Sequence, residues 1–156
     1  MIALCDDQAV MGSDFYVMER VVGDIFRRDV PEGVTASDVS VMADSLINGL
    51  VQLHAVDASI LSELNKGPGY VQRQVEGWSK RYRNALTDDV PNGEKVMAWL
   101  EANQPADVDS CVIHGDWRID NVVFDLEQAR IVGVLDWELA TVGDPLMDLE
   151  IGRAHV

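Results

Sequence analysis

The spacing of apolar residues changes twice along the chain, and this change most constrains its fold. Short apolar runs at 1–5 and 15–18, separated by polar residues, predict two strands joined by a polar loop. From an N-cap at Ser37 to the neighbourhood of Val56, apolar residues recur at helical spacing. One helical turn is expected at 59–64, and two further helices are expected at 71–86 and 92–102.

The last third of the chain returns to short apolar runs, at 111–113, 121–124 and 131–135. Their β-branched residues suit buried strands, and the polar residues from Asp125 to Arg130 predict a turn between the last two. Strands followed by helices and then by a small strand cluster indicate an α+β fold.

The composition excludes several classes of function. The chain has 27 acidic and 12 basic residues, a net charge of −15. Such a chain is a poor match for nucleic acid or for an anionic membrane surface, so neither partner is expected. It has no apolar run of about 18 residues and no visible signal peptide, and the thiols of Cys5 and Cys111 are expected to be reduced. We therefore expect a cytoplasmic location.

Polar side chains follow the predicted strands. Asp116 and Asn121 lie after the first strand of the last third, and Asp136 directly follows the apolar run at 131–135. Carboxylate and amide oxygens are ligands that Mg²⁺ prefers, in combination with substrate phosphates. A phosphoryl-transfer site needs one carboxylate to accept the proton of the attacking hydroxyl, and an Asp and an Asn to hold the metal. The three residues supply these three roles.

Three motifs carry a resemblance to a known family: His114-Gly115-Asp116-x₄-Asn121, Asp136-Trp137-Glu138, and Gly143-Asp144-Pro145-x₂-Asp148-Leu149. Together they resemble the aminoglycoside phosphotransferase and choline kinase family, which has a protein-kinase-like fold. Residues 70–74, with Trp78 and Tyr82, are similar to a subfamily that occurs fused to acyl-CoA dehydrogenases.

The resemblance implies a role for each matched residue. Asp116 matches the catalytic base. Asn121 and Asp136 match the Mg²⁺ ligands of a site that uses ATP. The remaining matches are residues that support the catalytic loop, namely His114, Asp144 and Asp148. The adenine pocket would be lined by the hinge residues Met18, Glu19, Arg20 and Val21.

The resemblance also predicts a domain organisation. Residues 1–22 match a remnant of the N-lobe sheet and hinge, and residues 23–150 match most of a helical C-lobe. Residues 151–156 do not resemble the family, and we expect them to be a non-native tail. A glycine-rich loop and a strand lysine are absent, because Lys66, Lys80 and Lys95 all follow the hinge. We therefore expect a truncated, inactive fragment with most of the N-lobe missing.

Alternatives remain at this stage. A non-catalytic nucleotide- or metabolite-binding module competes with the kinase, whereas a metallohydrolase would need paired His ligands. The resemblance implies a small-molecule hydroxyl as the acceptor, and the subfamily favours a substrate of the hydroxyacyl-CoA type. Two interpretations remain for Arg73, Arg81 and Arg83. They either form a solvated face or bind an anionic substrate. Packing or core roles are expected for His54, Trp78 and Tyr82.

Overall fold

A computed structural model describes residues 2–27, 29–87 and 92–150, so the tail predicted at 151–156 lies outside the described residues. The strands are β1 (Ala3–Cys5), β2 (Phe15–Val17), β3 (Cys111–Ile113), β4 (Val122–Asp125), β5 (Arg130–Val134) and β6 (Thr141–Gly143). The helices are α1 (Gln8–Met11), α2 (Ala36–His54), α3 (Tyr70–Ala85), α4 (Gly93–Ala102) and α5 (Met147–Glu150). Single 3₁₀ turns occur at Ala58–Leu61, Ile119–Asn121 and Trp137–Leu139. This order confirms the α+β prediction.

The first two strands pair antiparallel as predicted, with Ala3 opposite Val17. Their connection is not simply a polar loop, because it contains α1. The Asp7 carboxylate accepts the backbone N–H of Ala9 at 2.9 Å, and Gly12 ends the turn with a φ of 84°. A cap at each end therefore makes a helical turn from a segment without apolar periodicity.

Helix α2 begins earlier than its predicted N-cap at Ser37. Thr35 and Asp38 bond reciprocally: the Thr35 N–H donates to Asp38 Oδ2 at 2.8 Å, and the Asp38 N–H donates to Thr35 Oγ1 at 3.3 Å. This exchange is a capping box with Asp in place of Glu, and it sets the start of the helix. The ranges of the other two long helices agree with their predictions to within one residue.

The strands of the last third form two separate antiparallel pairs. Strands β4 and β5 make the predicted hairpin, and Asp125 Oδ1 accepts the backbone N–H groups of Glu127 and Gln128 in its turn. Strand β3 pairs instead with β6, which was not predicted, with Ile113 opposite Thr141. Three residues are too few for alternation to identify β6 from the sequence.

The chain forms two compact units, which differ in what they bury. The first unit comprises Met1–Leu46 and Ile119–Leu135, and its core is apolar: Phe26, Met42, Val122, Phe124 and Ala129. The second unit comprises Ile47–Arg118 and Asp136–Val156. Its buried side chains include both apolar and polar groups: Met97, Val112, Ile113, His114, Trp117, Val142, Asp144 and Asp148.

The structure corrects the expected core role of two aromatic residues on α3. The Trp78 side chain is 63% exposed and Tyr82 is half-buried. Both line an open apolar groove of about 700 Å³ between α3 and α4. The apolar stripe of α3 therefore faces this groove. Across the described residues, no helix combines the length and apolar character needed to cross a membrane.

Candidate active site

The loop that carries Asp116 is held by one buried carboxylate. Asp148 Oδ2 accepts the His114 N–H at 2.9 Å, and Oδ1 accepts the Gly115 N–H at 2.7 Å. His54 Nε2 lies 2.9 Å from the same Oδ2. The Asp148 side chain has no exposed surface. A buried carboxylate is costly unless it is paired and hydrogen-bonded, and here three donors meet that requirement.

His54 was expected to contribute packing, and the structure corrects this expectation. It stands at the C-terminal end of α2, 94 residues before Asp148, and its ring meets the Asp148 carboxylate. With Asp148 ionised, His54 Nε2 carries the proton and donates it to the hydrogen bond. Sequence reasoning missed this pair because nothing near His54 in the sequence indicates a partner so far along the chain.

Gly115 allows the loop to turn. Its φ of 82° lies in the left-handed region, and a Cβ at this position would lie 2.7 Å from the Leu139 carbonyl oxygen. A side chain would therefore be strained by the backbone conformation and would also overlap a neighbouring backbone. The glycine before Asp116 is required by this close approach.

His114 is fully buried and its orientation is defined by its neighbours. The Asp116 backbone N–H donates to His114 Nδ1 at 3.2 Å. Because Nδ1 accepts this bond, the proton of the neutral ring resides on Nε2. The ring of Trp137 lies 4.7 Å from that of His114, centroid to centroid, and the Trp117 ring lies at 5.8 Å in an edge-on arrangement.

Asp136 occupies a strained turn next to this cluster. Its φ of 64° and ψ of 56° are left-handed, and it caps the 3₁₀ turn Trp137–Leu139. Asp tolerates this conformation better than most residues, and such strain concentrates at functional sites. Its side chain is exposed, whereas the next residue, Trp137, packs on His114. Within the second unit, the turn of Asp136 is thus anchored to the loop of Asp116.

Asp144 is a buried capping residue. Its Oδ1 accepts the Leu146 N–H at 2.9 Å, and its carbonyl accepts the Met147 N–H at 3.1 Å. Both bonds organise the start of α5, the helix that carries Asp148.

The carboxylates of Asp144 and Asp148 affect nearby titratable groups. Burial raises the pKa of the Cys111 thiol, and the negative charges of Asp148 and Asp144 raise it further. The same three causes, in the same order, raise the pKa of the Tyr70 hydroxyl. Both groups therefore remain protonated at neutral pH, and Cys111 is not a thiolate nucleophile.

The other predicted site residues belong to the first unit. Asn121 ends the 3₁₀ turn Ile119–Asn121, and its carbonyl accepts the Leu135 N–H at 2.8 Å. The hinge residues Met18, Glu19, Arg20 and Val21 follow β2 without regular structure. Val21 packs closely on Gly133. A Cβ added at Gly133 would lie 2.8 Å from a methyl group of Val21.

The fit of a metal to these residues follows from donor chemistry. Asp136 offers an exposed carboxylate and Asn121 offers an amide oxygen, both hard donors that suit Mg²⁺. Among the residues that the structure describes, no three His, Cys, Asp or Glu side chains are grouped to hold a metal ion. A site of this kind takes one or two protein ligands and completes its shell with phosphate and water.

Comparison with curated proteins identifies relatives of two kinds. The chain is 40% identical over 151 residues to human acyl-CoA dehydrogenase family member 11, covering 95% of this chain and 19% of that protein. It is 36% identical over 67 residues to aminoglycoside 3′-phosphotransferase of Escherichia coli, covering 41% and 24%. The chain thus spans about a fifth of the length of the dehydrogenase-family relative.

Solved structures share the fold. A candidate aminoglycoside phosphotransferase from Ralstonia eutropha superposes with a TM-score of 0.82 at 32% identity, over 99% of this chain and 52% of that one. A macrolide 2′-phosphotransferase of type I gives 0.64 at 26% identity, over 86% and 46%. The fold is therefore the protein-kinase-like fold of these phosphotransferases, as the resemblance implied. Residues 1–152 also match the model of the phosphotransferase enzyme family. The chain belongs to this phosphotransferase family.

Proposed function

We propose that the complete protein transfers a phosphoryl group from ATP to the hydroxyl of a small molecule. The observation that carries the proposal is the position of Asp116 on a loop whose two preceding backbone N–H groups both bond to the buried Asp148 carboxylate. Positioning and electrostatics supply most of the catalysis in phosphoryl transfer. A loop held in this way suits that chemistry, and family membership supports the reaction class.

Asp116 is the proposed catalytic base. The acceptor oxygen forms a bond to the γ-phosphorus while the bond from that phosphorus to the ADP oxygen breaks, and the hydroxyl proton passes to the Asp116 carboxylate. Asp116 is half-buried, so part of the residue is accessible to a substrate. His114 acts by position, because its Nδ1 holds the Asp116 backbone N–H.

Asn121 and Asp136 are the proposed ligands of Mg²⁺, on the basis of the family resemblance and their oxygen donors. The ion, when bound, neutralises negative charge on the nucleotide phosphates. The exposed Asp136 carboxylate is directed outward by a turn anchored through Trp137. Backbone groups of Met18, Glu19, Arg20 and Val21 are proposed to bind adenine, and Asp144 and Asp148 to brace the site.

The proposed acceptor is a hydroxyacyl-CoA type of substrate. The support is that a relative matched over 95% of the chain is named as an acyl-CoA dehydrogenase family member, whereas the aminoglycoside phosphotransferase match covers 41%. We also propose a cytoplasmic location for the protein. These 156 residues have lysines only at 66, 80 and 95, after the proposed hinge segment. Without a strand lysine on the ATP phosphates, we propose that these 156 residues alone turn over little.

A binding experiment tests the nucleotide site without requiring turnover. The 156-residue chain is titrated with ADP, with and without Mg²⁺, by calorimetry. We expect Mg²⁺ to strengthen ADP binding, and Asp136→Asn to weaken the Mg²⁺-dependent part about tenfold. Asp109→Asn is the matched control, because Asp109 is exposed and lies outside the motifs. Equal binding by all three proteins contradicts the assigned metal site.

A turnover experiment tests the low activity proposed for these 156 residues. ADP release from Mg·ATP is measured with a 4-carbon hydroxyacyl-CoA as acceptor, for the chain and for Asp116→Ala. We expect turnover near background for both. If the chain turns over rapidly and Asp116→Ala abolishes this turnover, the proposed low activity of the chain is disproved. The same result would support the proposed phosphoryl transfer. The alternative binding module predicts instead that the complete reading frame also lacks a lysine before the hinge.

A further inference from the structure

We infer that a cationic cleft in the second unit binds an oxyanion, a phosphate or carboxylate, carried by the acceptor substrate. The cleft has a volume of about 190 Å³ and is lined by Lys66, Arg73 and Arg81 together with neutral residues. This inference rests on the proposed function for the identity of the ligand as acceptor. The cleft itself stands on its own geometry.

The charge of the cleft is opposite to that of the chain. The sequence has 27 acidic and 12 basic residues, yet three of the basic side chains line this one cleft, and none of its lining residues is Asp or Glu. Asp144 and Asp148 lie near the partly buried Tyr70 at the cleft wall, but Asp148 is paired with His54 and with backbone donors. The lining side chains therefore favour an anion, and a polyamine would be repelled.

Arg73 is positioned before any ligand arrives. Its guanidinium donates to the carbonyl of Gly67 at 2.9 Å and to the carbonyl of Pro68. The loop that presents these carbonyls turns at Gly67 and Gly69, where φ is 73° and 82°. A guanidinium has five N–H donors, so two bonds to the loop leave donors for an oxyanion. Preorganisation of this kind lowers the entropic cost of binding.

Arg81 is also oriented by a neighbour. Its guanidinium carbon lies 4.7 Å from the centroid of the Trp78 ring, and both residues are on α3. A cation–π contact of this kind restrains the guanidinium, and its N–H donors suit a planar or tetrahedral oxyanion. The exposed Trp78 therefore has a role that its expected place in the core did not suggest.

The cleft is connected to the loop of the proposed base. Thr141 at its wall donates from Oγ1 to the Leu64 carbonyl at 3.3 Å and lies opposite Ile113 in the β3–β6 pair. Asp116 is three residues after Ile113, so chain geometry limits its Cα to about 17 Å from that of Thr141. An extended acceptor spans such a distance between an anionic end and a reacting hydroxyl.

A titration of the ¹⁵N-labelled chain with inorganic phosphate tests the cleft. The backbone amides of Gly67, Gly77 and Thr141 are followed by NMR at constant ionic strength, with Mg·ADP present to occupy the nucleotide site. We expect saturable shifts, and about tenfold weaker binding in the double variant Lys66→Gln/Arg81→Gln. The matched control is Lys95→Gln/Arg130→Gln, which removes the same charge at exposed positions that do not line the cleft and is expected to change affinity less than twofold.

The outcomes separate this inference from the proposed function. Equal weakening by both double variants, or shifts produced by kanamycin and not by phosphate, overturns the oxyanion site. Acetate in place of phosphate distinguishes the carboxylate source: tighter acetate binding assigns a carboxylate, and tighter phosphate binding assigns a phosphate. Failure of ADP binding with retained phosphate binding rejects the proposed nucleotide site while the oxyanion site stands. Arg81→Lys keeps the charge but loses the planar guanidinium, so its affinity is expected to lie between those of the unaltered chain and of Lys66→Gln/Arg81→Gln.

Discussion

The two compact units are stabilised in different ways. The first unit encloses apolar side chains, with the rings of Phe26 and Phe124 5.4 Å apart at its centre. The second unit encloses the charged Asp148 and the polar His114 beside apolar strands β3 and β6. An apolar core tolerates exchanges that keep its volume, whereas a buried carboxylate tolerates no change in its donors. The first unit is therefore expected to respond to lost side-chain volume, and the second unit to a changed hydrogen-bonding partner.

The apolar core of the first unit is expected to give the largest effect. Phe124 is 1% exposed, and Phe124→Ala removes its whole ring from the core, so we expect a loss of about 3–5 kcal/mol in the free energy of unfolding. Unfolding in urea is followed by far-UV circular dichroism. Leu4→Ala in the same unit is the control, because Leu4 is 67% exposed and its truncation is expected to cost about 0.5 kcal/mol or less.

Tryptophan fluorescence sharpens the comparison between units. The four tryptophans are Trp78, Trp99, Trp117 and Trp137, and all lie in the second unit. If the units unfold separately, Phe124→Ala shifts the circular dichroism transition and leaves the fluorescence transition in place. Coincident shifts of both transitions would show that the units unfold together.

The buried carboxylate of the second unit is expected to give the next largest effect. Asp148→Asn keeps the shape but places an amide against three donors, and we expect a loss of about 3 kcal/mol in the free energy of unfolding. The fluorescence transition measures it. Asp109→Asn, at an exposed site, provides the control. A cost under 1 kcal/mol for Asp148→Asn would contradict the structural role assigned to this carboxylate.

Two glycines of the second unit are expected to respond with opposite signs. Gly115→Ala places a Cβ 2.7 Å from the Leu139 oxygen at a φ of 82°, and we expect destabilisation of about 1–3 kcal/mol. Gly77→Ala lies within α3 with open space around it, and we expect stabilisation of about 0.5–1 kcal/mol. Thermal unfolding of both variants measures the contrast, and equal shifts would argue against a strained loop.

The smallest effect concerns an exposed carboxylate, Asp38. Hydrogen bonds from the backbone and side chain of Thr35 lower its pKa. Since the folded-state pKa lies below the unfolded one, its contribution to stability is present above the unfolded pKa and disappears as pH falls through the folded pKa. We expect the stability difference between the protein and Asp38→Ala to shrink below pH 4. An NMR titration of the Asp38 carboxyl carbon checks the direction, and an unshifted value would contradict it.

Local patterns were sufficient to predict most elements of the fold. Helices α3 and α4 and the β4–β5 hairpin follow from apolar spacing and from Gly, Pro and Asp residues at their ends. Strand β6 and the capped turn α1 escaped prediction because each is defined by few residues. Their stability comes from a distant strand in one case and from two caps in the other.

The candidate site was likewise predicted only in part from local patterns. Motif spacing predicts that Asp116, Asn121 and Asp136 belong to the candidate site. Backbone hydrogen bonds and dihedral angles in the structure show how the turns of Asp116 and Asp136 are formed. Their roles remain predictions. The bond between His54 and Asp148 and the ring contact between Trp137 and His114 join residues far apart in sequence, so no local pattern could indicate them.

The bond from Asp148 to the loop has a consequence for the order of folding. Helices α2 and α3 and strand β3 are all synthesised before residue 148. During synthesis, chains fold from the N-terminus as residues emerge. The strand before Asp116 pairs with β6, and the loop after that strand is held by Asp148, so neither interaction can form until residues 141–148 have been made. The proposed base therefore reaches its final position only after residues 141–148 have been synthesised.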